Sequence, residues 1–354
     1  MTDQAKPFGD YDALLVLSFG GPESNEDVLP FLRNVTKGRG IPDERLVEVG
    51  EHYYHFNGVS PLNRLNEEII EHVGDVIKER GQELPIYFGN RNWHPFVEDT
   101  VKQMLADGRS NVLVFATSAW GGYSACLQYD EDIRKLREAA PEMNFTKLRQ
   151  FYSHPMFIEE MAELLTKTRS EVEEGKNTRV LFTAHSVPNA ADDRAGGEDD
   201  KNLYSRQVAE ASRLIAEKAS VESYDLVWQS RSGDPRTPWL DPDICDHTQE
   251  IAKNDGVESI VVCPVGFISD HMEVVWDLDT ELIEAADEVG VSVHRVPTAG
   301  PTRRFAEMVV ELIDEHVSGR PWAKLGNVTT QGCTVNGAPC AEGCCSKLQA
   351  DYSA

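Results

Sequence analysis

The chain has 354 residues, a formal net charge of −26 at pH 7 and 40% hydrophobic residues, which is enough for two domains of ordinary size. The acidic balance disfavours nucleic acids and anionic membrane surfaces as partners, and no apolar run is long enough to span a bilayer. Because the first residues also lack the basic and apolar parts of a secretion signal, we expect a cytoplasmic protein without membrane insertion.

Apolar segments that alternate with amphipathic helical patterns run through most of the chain. They predict strands at residues 13–18, 85–89, 112–116 and 145–151, and a second set at residues 179–184, 224–229, 259–264 and 291–296. Two such runs indicate an α/β protein with two doubly wound, Rossmann-like parallel-sheet domains that face each other across a cleft. We expect the first domain at residues 10–155, the second at residues 156–320 and a cysteine-rich tail at residues 321–354.

Small, aromatic and basic residues follow several of these strands. The first strand leads into Gly20 and Gly21, which let the backbone come close to a ligand. A nucleotide loop is weakly supported there, because neither a G-x-G-x-x-G pattern nor a Walker lysine is present. Residues 90–95, 118–129 and 228–233 add aromatic, small and basic side chains at other strand ends. This mixture suits a large flat aromatic ligand that carries carboxylates.

His185 comes directly after the predicted strand at residues 179–184. In this architecture ligands bind at the carboxyl ends of the strands, so we expect His185 to point into the cleft. A neutral imidazole there can accept a proton or bind a metal ion.

The segment at residues 264–282 follows another buried strand and predicts a helix that begins at His271, capped by Ser269 or Asp270. Glu273, Asp277 and Glu281 recur every four residues along it, which places three carboxylates on one helix face. Hard oxygen ligands beside an imidazole suggest a path for a divalent metal ion. A solvated helix face explains the same pattern, and both readings stay open at this point.

Seven cysteines in a chain of this kind do not suggest a disulfide framework. Four of them lie in the tail: Cys333, Cys340, Cys344 and Cys345. Their spacing lacks the paired C-x-x-C units that a zinc site prefers. It fits an iron–sulfur centre better, since thiolates from separate segments can share one cluster. Tail thiols without a metal are the alternative.

The motifs LSFGGPE, NGVSPLN, TAHSVP, WQSRSGDPRTPWLDP and VCPVGFISDHMEVVWDLD, taken in this order, resemble the ferrochelatase family, whose members insert ferrous iron into a porphyrin. The resemblance runs from about residue 13 to 313 and implies two doubly wound, chelatase-like domains. It also implies that His185 and Glu273 face the porphyrin centre, where they receive Fe²⁺, accept the two pyrrole protons, or share these tasks. Asp277 and Glu281 would carry or regulate the metal.

Two departures from the family pattern bear on the substrate. Phe19 stands where some bacterial relatives have a tyrosine that ligates iron, so this residue can contact the macrocycle but cannot ligate its metal. The segment at residues 30–42 is polar and basic where membrane-associated relatives carry an apolar lip. We therefore favour coproporphyrin III, with four propionates, over protoporphyrin IX, with two. The resemblance implies further substrate contacts at Lys37, Arg39, Tyr53, Ser60 and Tyr129.

The resemblance also extends to relatives, of an actinobacterial type, that hold a [2Fe–2S] cluster. By this likeness Cys126 joins Cys333, Cys340 and either Cys345 or Cys344 as cluster ligands, and the cluster pins the tail to the first domain. The expected product is coproheme, and the expected state is a monomer. Insertion of iron into protoporphyrin IX, and a non-catalytic haem or iron–sulfur carrier, remain the alternatives.

Overall fold

The structure is a computed structural model that describes residues 7–38, 40–233 and 236–329. Its strands form two four-stranded parallel sheets, with the orders β2-β1-β3-β4 and β6-β5-β7-β8. The strands of the first sheet are β1 (Ala13–Ser18), β2 (Ile86–Asn90), β3 (Asn111–Ala116) and β4 (Asn144–Lys147). Those of the second are β5 (Thr178–His185), β6 (Tyr224–Gln229), β7 (Ser259–Cys263) and β8 (Ser292–Arg295). The predicted fold class is confirmed.

The central strands are mostly apolar, since helices cover both faces of each sheet. Every residue of β1 and of β7 is buried. The strands are parallel, so their carboxyl ends meet at one edge of each sheet. Side chains that follow β5 and β7 therefore come together, because these two strands are hydrogen-bonded neighbours.

Helices connect the strands. They are α1 (Asn25–Val35), α2 (Asp43–His55), α3 (Leu62–Glu79), α4 (Val97–Ala106), α5 (Gln128–Ala139), α6 (Pro155–Arg169), α7 (Asn189–Asp192), α8 (Leu203–Lys218), α9 (Ile244–Asp255), α10 (Met272–Trp276), α11 (Leu282–Asp287) and α12 (Arg303–Ser318). Two π-helical turns, Tyr123–Leu127 and Asp277–Glu281, directly precede α5 and α11. Within the described ranges, no helix combines the length and the apolar character needed to cross a bilayer.

The two sheets share one apolar core. Val16 of β1 and Phe182 of β5 belong to the same buried cluster, together with Phe305 of α12. Ion pairs between α12 and the α3 side add to this packing, with Arg80 Nη1 lying 2.6 Å from Asp314 Oδ2. The sheets fall within the two predicted domain ranges, and the boundaries at residues 155 and 320 remain predictions.

The predicted helix from His271 onwards contains a π-helical turn. It divides into α10, the π-helical turn at Asp277–Glu281 and α11. The prediction that Ser269 or Asp270 caps it is wrong, because the N-cap residue is His271. Asp270 is instead paired with Arg295, whose guanidinium donates hydrogen bonds to both carboxylate oxygens at 2.9–3.0 Å.

Candidate active site

His185 is the last residue of β5 and lies at the carboxyl edge of the second sheet. Its Nδ1 atom lies 2.5 Å from the carbonyl oxygen of Ser186. A carbonyl oxygen only accepts hydrogen bonds, so Nδ1 carries the proton in this contact. The lone pair of Nε2 is thereby left to act as a base or as a metal ligand. The side chain is 35% exposed, which leaves Nε2 accessible to a bound molecule.

Glu273 reaches the same place from the neighbouring strand. It lies in α10, ten residues beyond Cys263 at the end of β7. Its Oε2 atom is 3.8 Å from Nε2 of His185, and its side chain is 58% exposed. The structure therefore brings together the imidazole and the carboxylate that the sequence singled out. An accessible base beside an accessible carboxylate can accept protons from a ligand or hold a cation.

His271 is a third member of this group, and the sequence reasoning treated it only as a helix start. Its Nδ1 atom lies 4.0 Å from Oε2 of Glu273, and its ring packs edge-on against Phe267. Burial lowers the pKa of His271, while the Glu273 carboxylate opposes that shift. The signal that could have found it is its place two residues before Glu273, in a loop at the functional edge of the sheet.

Asp277 is buried, unlike Glu273. Its carboxylate accepts hydrogen bonds from the Ser230 hydroxyl and, at 3.2 Å, from Nε2 of Gln229. Burial raises the pKa of Asp277 to about 7, and the carboxylates of Glu273 and Glu281 add to the rise against these two hydrogen bonds. The group can therefore bind and release a proton near neutral pH.

Ser230 reaches Asp277 through an uncommon backbone conformation. Its φ is +64°, a left-handed value that residues other than glycine rarely adopt. This turn directly after β6 directs the hydroxyl towards the π-helical turn. Gln229 is held in turn by Thr183, whose hydroxyl donates to its Oε1 at 3.1 Å. A chain of hydrogen bonds thus links β5, β6 and Asp277.

Trp276 connects this acidic segment to α2. Its indole N–H donates to Oε1 of Glu281 at 2.9 Å, while its ring stacks on the imidazole of His52. His55 meets the same indole edge-on. Glu281 is therefore bound at the far end of the π-helical turn, and Glu273, Asp277 and Glu281 have three different environments. The alternative interpretation, that these carboxylates only form a solvated helix face, fits the exposed Glu281 best and the buried Asp277 least.

Residues of the first sheet's side form an aromatic wall next to α10. Phe31 contacts Phe19, Tyr53 and Trp93 with ring centroids 6.0–6.3 Å apart. Met272, the residue before Glu273, is buried in the same apolar cluster as Phe31 and Tyr53. Phe19 is 38% exposed, and burial raises the pKa of Tyr53. The wall therefore lies close to the His185–Glu273 pair and presents an exposed ring.

The other predicted substrate contacts differ in exposure. Lys37 is exposed just beyond α1, whereas Arg39 lies outside the described residues. Ser60 is buried. Tyr129 is also buried, and its hydroxyl lies 3.1 Å from the Thr117 hydroxyl. Of the three that the structure describes, Lys37 alone has an exposed side chain.

Cys126 is buried within the π-helical turn Tyr123–Leu127. The N–H of Gly122 lies 3.4 Å from its Sγ atom. The predicted partners Cys333, Cys340, Cys344 and Cys345 lie outside the described residues. The last described residue, Thr329, is nearby, because Gln207 joins its carbonyl oxygen to the N–H of Gly121. Within the described ranges, no three His, Cys, Asp or Glu side chains are arranged to hold a metal ion.

The family follows from the sequence as a whole. The family model for ferrochelatase matches residues 11–317. The chain belongs to the ferrochelatase family. Its ferrochelatase relatives include the coproporphyrin III ferrochelatase of Corynebacterium diphtheriae, 52% identical over 98% of this chain and 97% of that protein. The coproporphyrin III ferrochelatase of Nocardia farcinica is 54% identical over 95% of this chain and 96% of its own length.

Solved structures share the fold of this ferrochelatase at low sequence identity. SirB from Bacillus subtilis, determined with Fe³⁺, aligns with a TM-score of 0.51 and 14% identity over 86% of this chain and 96% of its own. The sirohydrochlorin chelatase SirB from Bacillus subtilis subspecies spizizenii, in complex with cobalt, aligns with a TM-score of 0.50 and 10% identity, covering 87% and 96% of the two chains. The predicted chelatase-like architecture is thereby confirmed.

Proposed function

We propose that this ferrochelatase inserts Fe²⁺ into coproporphyrin III and releases coproheme. The observation that carries the proposal is the separation of 3.8 Å between Nε2 of His185 and Oε2 of Glu273, both accessible at one sheet edge. Relatives about half identical over nearly the whole chain are coproporphyrin III ferrochelatases, which supports the same substrate here.

Metallation requires two proton transfers. Two pyrrole N–H groups lose their protons as their nitrogen lone pairs bind Fe²⁺, so the metal replaces two protons and no electron is transferred. His185 accepts the first proton at Nε2, because Nδ1 is already engaged with Ser186. Glu273 accepts the second proton or the incoming cation. The His271 imidazole, kept neutral by burial, adds a further base at 4.0 Å from the Glu273 carboxylate.

Asp277 is suited to pass the protons on. Its carboxyl has a pKa of about 7 because it is buried, so it can take a proton from Glu273 and give it up again at neutral pH. Glu281, which Trp276 holds further along the π-helical turn, continues the acidic line. We propose that Asp277 and Glu281 serve this transfer and the approach of Fe²⁺.

The substrate assignment also rests on charge. Four propionates need cationic or hydrogen-bonding partners in a chain whose net charge is −26. We propose Lys37 and Arg39 as propionate partners and Phe19 as a flat contact for the macrocycle. Further substrate contacts would come from Tyr53, Ser60 and Tyr129. A protoporphyrin IX substrate, with two propionates, would make less use of the exposed Lys37.

We further propose a [2Fe–2S] cluster held by Cys126, Cys333, Cys340 and Cys345, or Cys344 in place of Cys345. The described residues fit it: Cys126 is buried, a backbone N–H points at its sulfur, and Thr329 is tied to the same loop. Cys333 is four positions beyond Thr329, a reach of about 13 Å. A bound cluster would cross-link the tail to the first sheet's side.

We place this enzyme in the cytoplasm as a monomer. Cys245 and Cys263 form no disulfide, which is usual in a reducing compartment. The His185–Glu273 site is built from one chain, so it needs no second copy.

The test is the rate of iron insertion, followed by visible absorbance under anaerobic conditions, with coproporphyrin III and protoporphyrin IX compared. We expect a clear preference for coproporphyrin III, and a loss of about a hundredfold or more in kcat for His185→Ala and for Glu273→Gln. His247→Ala is the matched control, because His247 pairs with Asp225 away from this site. A carrier without catalysis would bind porphyrin equally in all variants and metallate it in none.

A further inference from the structure

The peptide that follows His185 is held from two sides. The Tyr204 hydroxyl donates to the carbonyl oxygen of His185 at 2.8 Å. The adjoining N–H of Ser186 donates to the carbonyl oxygen of Gln229 at 2.7 Å. Both polar groups of this peptide are therefore engaged, which fixes its plane.

That plane decides where the imidazole points. The ladder between β5 and β7 pairs no residue beyond Phe182, so the carbonyl of His185 lies past the end of that ladder. The Tyr204 hydroxyl supplies the donor there. Since the His185 ring is itself bonded to the next carbonyl, that of Ser186, a rotation of this peptide would turn Nε2 away from Glu273.

The same end of α8 contacts the loop that leads to Cys126. Oε1 of Gln207 accepts from the N–H of Gly121 at 2.6 Å. Leu203 packs so closely that a Cβ atom on Gly121 would lie 2.7 Å from Leu203 Cδ2. Gly122, whose N–H faces the Cys126 sulfur, lies next to Tyr204, since a Cβ atom added to it would be in ordinary contact with Tyr204 Cβ at 3.7 Å.

Gln207 also ties this loop to residues 321–329, which we call the strap. Its Nε2 donates to the carbonyl oxygen of Thr329 at 2.8 Å. Gln207 is fully buried, so its amide joins the buried N–H of Gly121 to the part-buried carbonyl oxygen of Thr329. The Tyr152 hydroxyl holds the strap one residue earlier, at the carbonyl of Val328.

We propose that Tyr204 is a positioning residue for His185 and that α8, through Gln207, makes the orientation of His185 depend on the Cys126 loop and the strap. This inference rests on the proposed role of His185 in iron insertion. Release of the strap frees Gln207, α8 then shifts against Gly121 and Gly122, and the hydroxyl of Tyr204 no longer holds the His185 peptide. Anything that anchors the strap beside Cys126 therefore supports the catalytic imidazole from a distance.

Tyr204→Phe isolates the first half of the proposal, because it removes one hydroxyl and keeps the ring against Trp228. We expect kcat to fall about tenfold, since small displacements of a catalytic group are costly, while KM for coproporphyrin III stays constant. The rate at which diethyl pyrocarbonate modifies His185, read by mass spectrometry, should change in the same variant. Tyr11→Phe is the matched control, since that hydroxyl contacts His316 instead.

Gln207→Met tests the second half. It should lower kcat in the same direction as Tyr204→Phe, and the double variant should lose no more than the more impaired single variant, because both act through one path. Ser212→Ala is the control, because the Ser212 hydroxyl is buried in α8 and donates only to the carbonyl oxygen of Val208 in the same helix. If Gln207→Met does not fold, Gln207→Glu serves, since it keeps the acceptor for Gly121 and loses the donor for Thr329.

Three results would overturn the inference. If Tyr204→Phe retains full kcat and His185 is modified at the wild-type rate, Tyr204 has no positioning role. If the Gln207 variants leave both kcat and the rate of His185 modification unchanged, the connection through α8 does not exist. The same conclusion follows if the losses in kcat of the two single variants add up in the double variant. If instead His185→Ala retains full activity, it is the proposed function that fails, which keeps the two conclusions separable.

Discussion

The indole of Trp276 and the imidazole of His52 stack with ring centroids 4.0 Å apart and planes 5° from parallel. Trp276 lies in α10 beside the acidic π-helical turn, and His52 lies in α2 on the first sheet's side. This contact joins α10, which leads into the acidic π-helical turn, to α2, which carries Tyr53 of the aromatic wall. Burial lowers the pKa of His52, and the Glu281 carboxylate opposes that change, so the stacked imidazole lies within the field of the acidic segment.

The indole N–H of Trp276 should matter for iron uptake. Trp276→Phe keeps an aromatic ring against His52 and removes the hydrogen bond to Glu281. We expect KM for Fe²⁺ to rise about threefold to tenfold, as the loss of about 1 kcal/mol implies, with little change in kcat. Initial rates at varied Fe²⁺ concentration measure this. Trp322→Phe, which alters a ring packed on Arg149, should leave that KM unchanged. If Trp276→Phe leaves KM for Fe²⁺ unchanged, Glu281 does not take part in the approach of iron.

Asp277 should make stability fall as pH rises. Its folded-state pKa, about 7, lies above the ordinary value of 3.8 for an aspartate, so between these values the folded state binds more protons than the unfolded state. The stabilisation is complete below about pH 4 and is lost as pH rises through about 7. Asp277→Asn removes this term, so urea unfolding should show the free-energy difference between variant and wild type changing by about 1 kcal/mol or more over that range. A pH-independent difference would contradict the buried, protonated carboxyl.

The buried pair of Arg149 and Glu315 should stabilise the junction between α12 and the strap. Arg149 Nε lies 2.6 Å from Glu315 Oε2, with both side chains at most 3% exposed. Arg149→Met leaves the Glu315 carboxylate buried and uncompensated, and we expect a loss of about 3–5 kcal/mol in the free energy of unfolding. Arg149→Met combined with Glu315→Gln should recover part of it. Urea titrations measure both, and a double variant less stable than Arg149→Met would contradict the charge argument.

Lys37 should discriminate between the two porphyrins. Lys37→Glu places a negative charge where we propose a propionate partner, so KM for coproporphyrin III should rise several-fold, about 1 kcal/mol. The effect on protoporphyrin IX should be smaller. Lys253→Glu, on the exposed surface of α9, changes the net charge equally and serves as control. Equal effects of both substitutions would point to the overall field of the protein rather than to a local contact.

Much of the fold was predictable from local pattern. β1 and β6 begin and end where the sequence predicted them. For β1 the reason is that a strand buried on both faces reads as a nearly continuous apolar run. His185 was found for the same reason, since a polar residue at the end of such a strand must lie at the edge of the sheet. The four-residue spacing singled out Glu273 with Asp277 and Glu281 as a path for a metal ion, and the family motifs then implied its place beside His185.

The π-helical turn after Trp276 was not predictable in this way. A spacing of four residues is compatible with a continuous α-helix, so Glu273, Asp277 and Glu281 looked equivalent. Asp277 differs because Ser230 and Gln229 approach it from β6, and Glu281 differs because the Trp276 indole binds it. These partners follow from packing between elements that are remote in sequence.

The sequence by itself determined the two-sheet architecture, the family, and the presence of His185 and Glu273 at strand ends, because burial patterns and motifs are local properties of the chain. Only the tertiary structure decided that His271 joins that pair, that Asp277 is buried, and that Tyr204 and Gln207 connect His185 to the Cys126 loop. Each of these depends on a distance between side chains from distant segments. Such a distance is determined when helices pack on sheets, and no single segment encodes it.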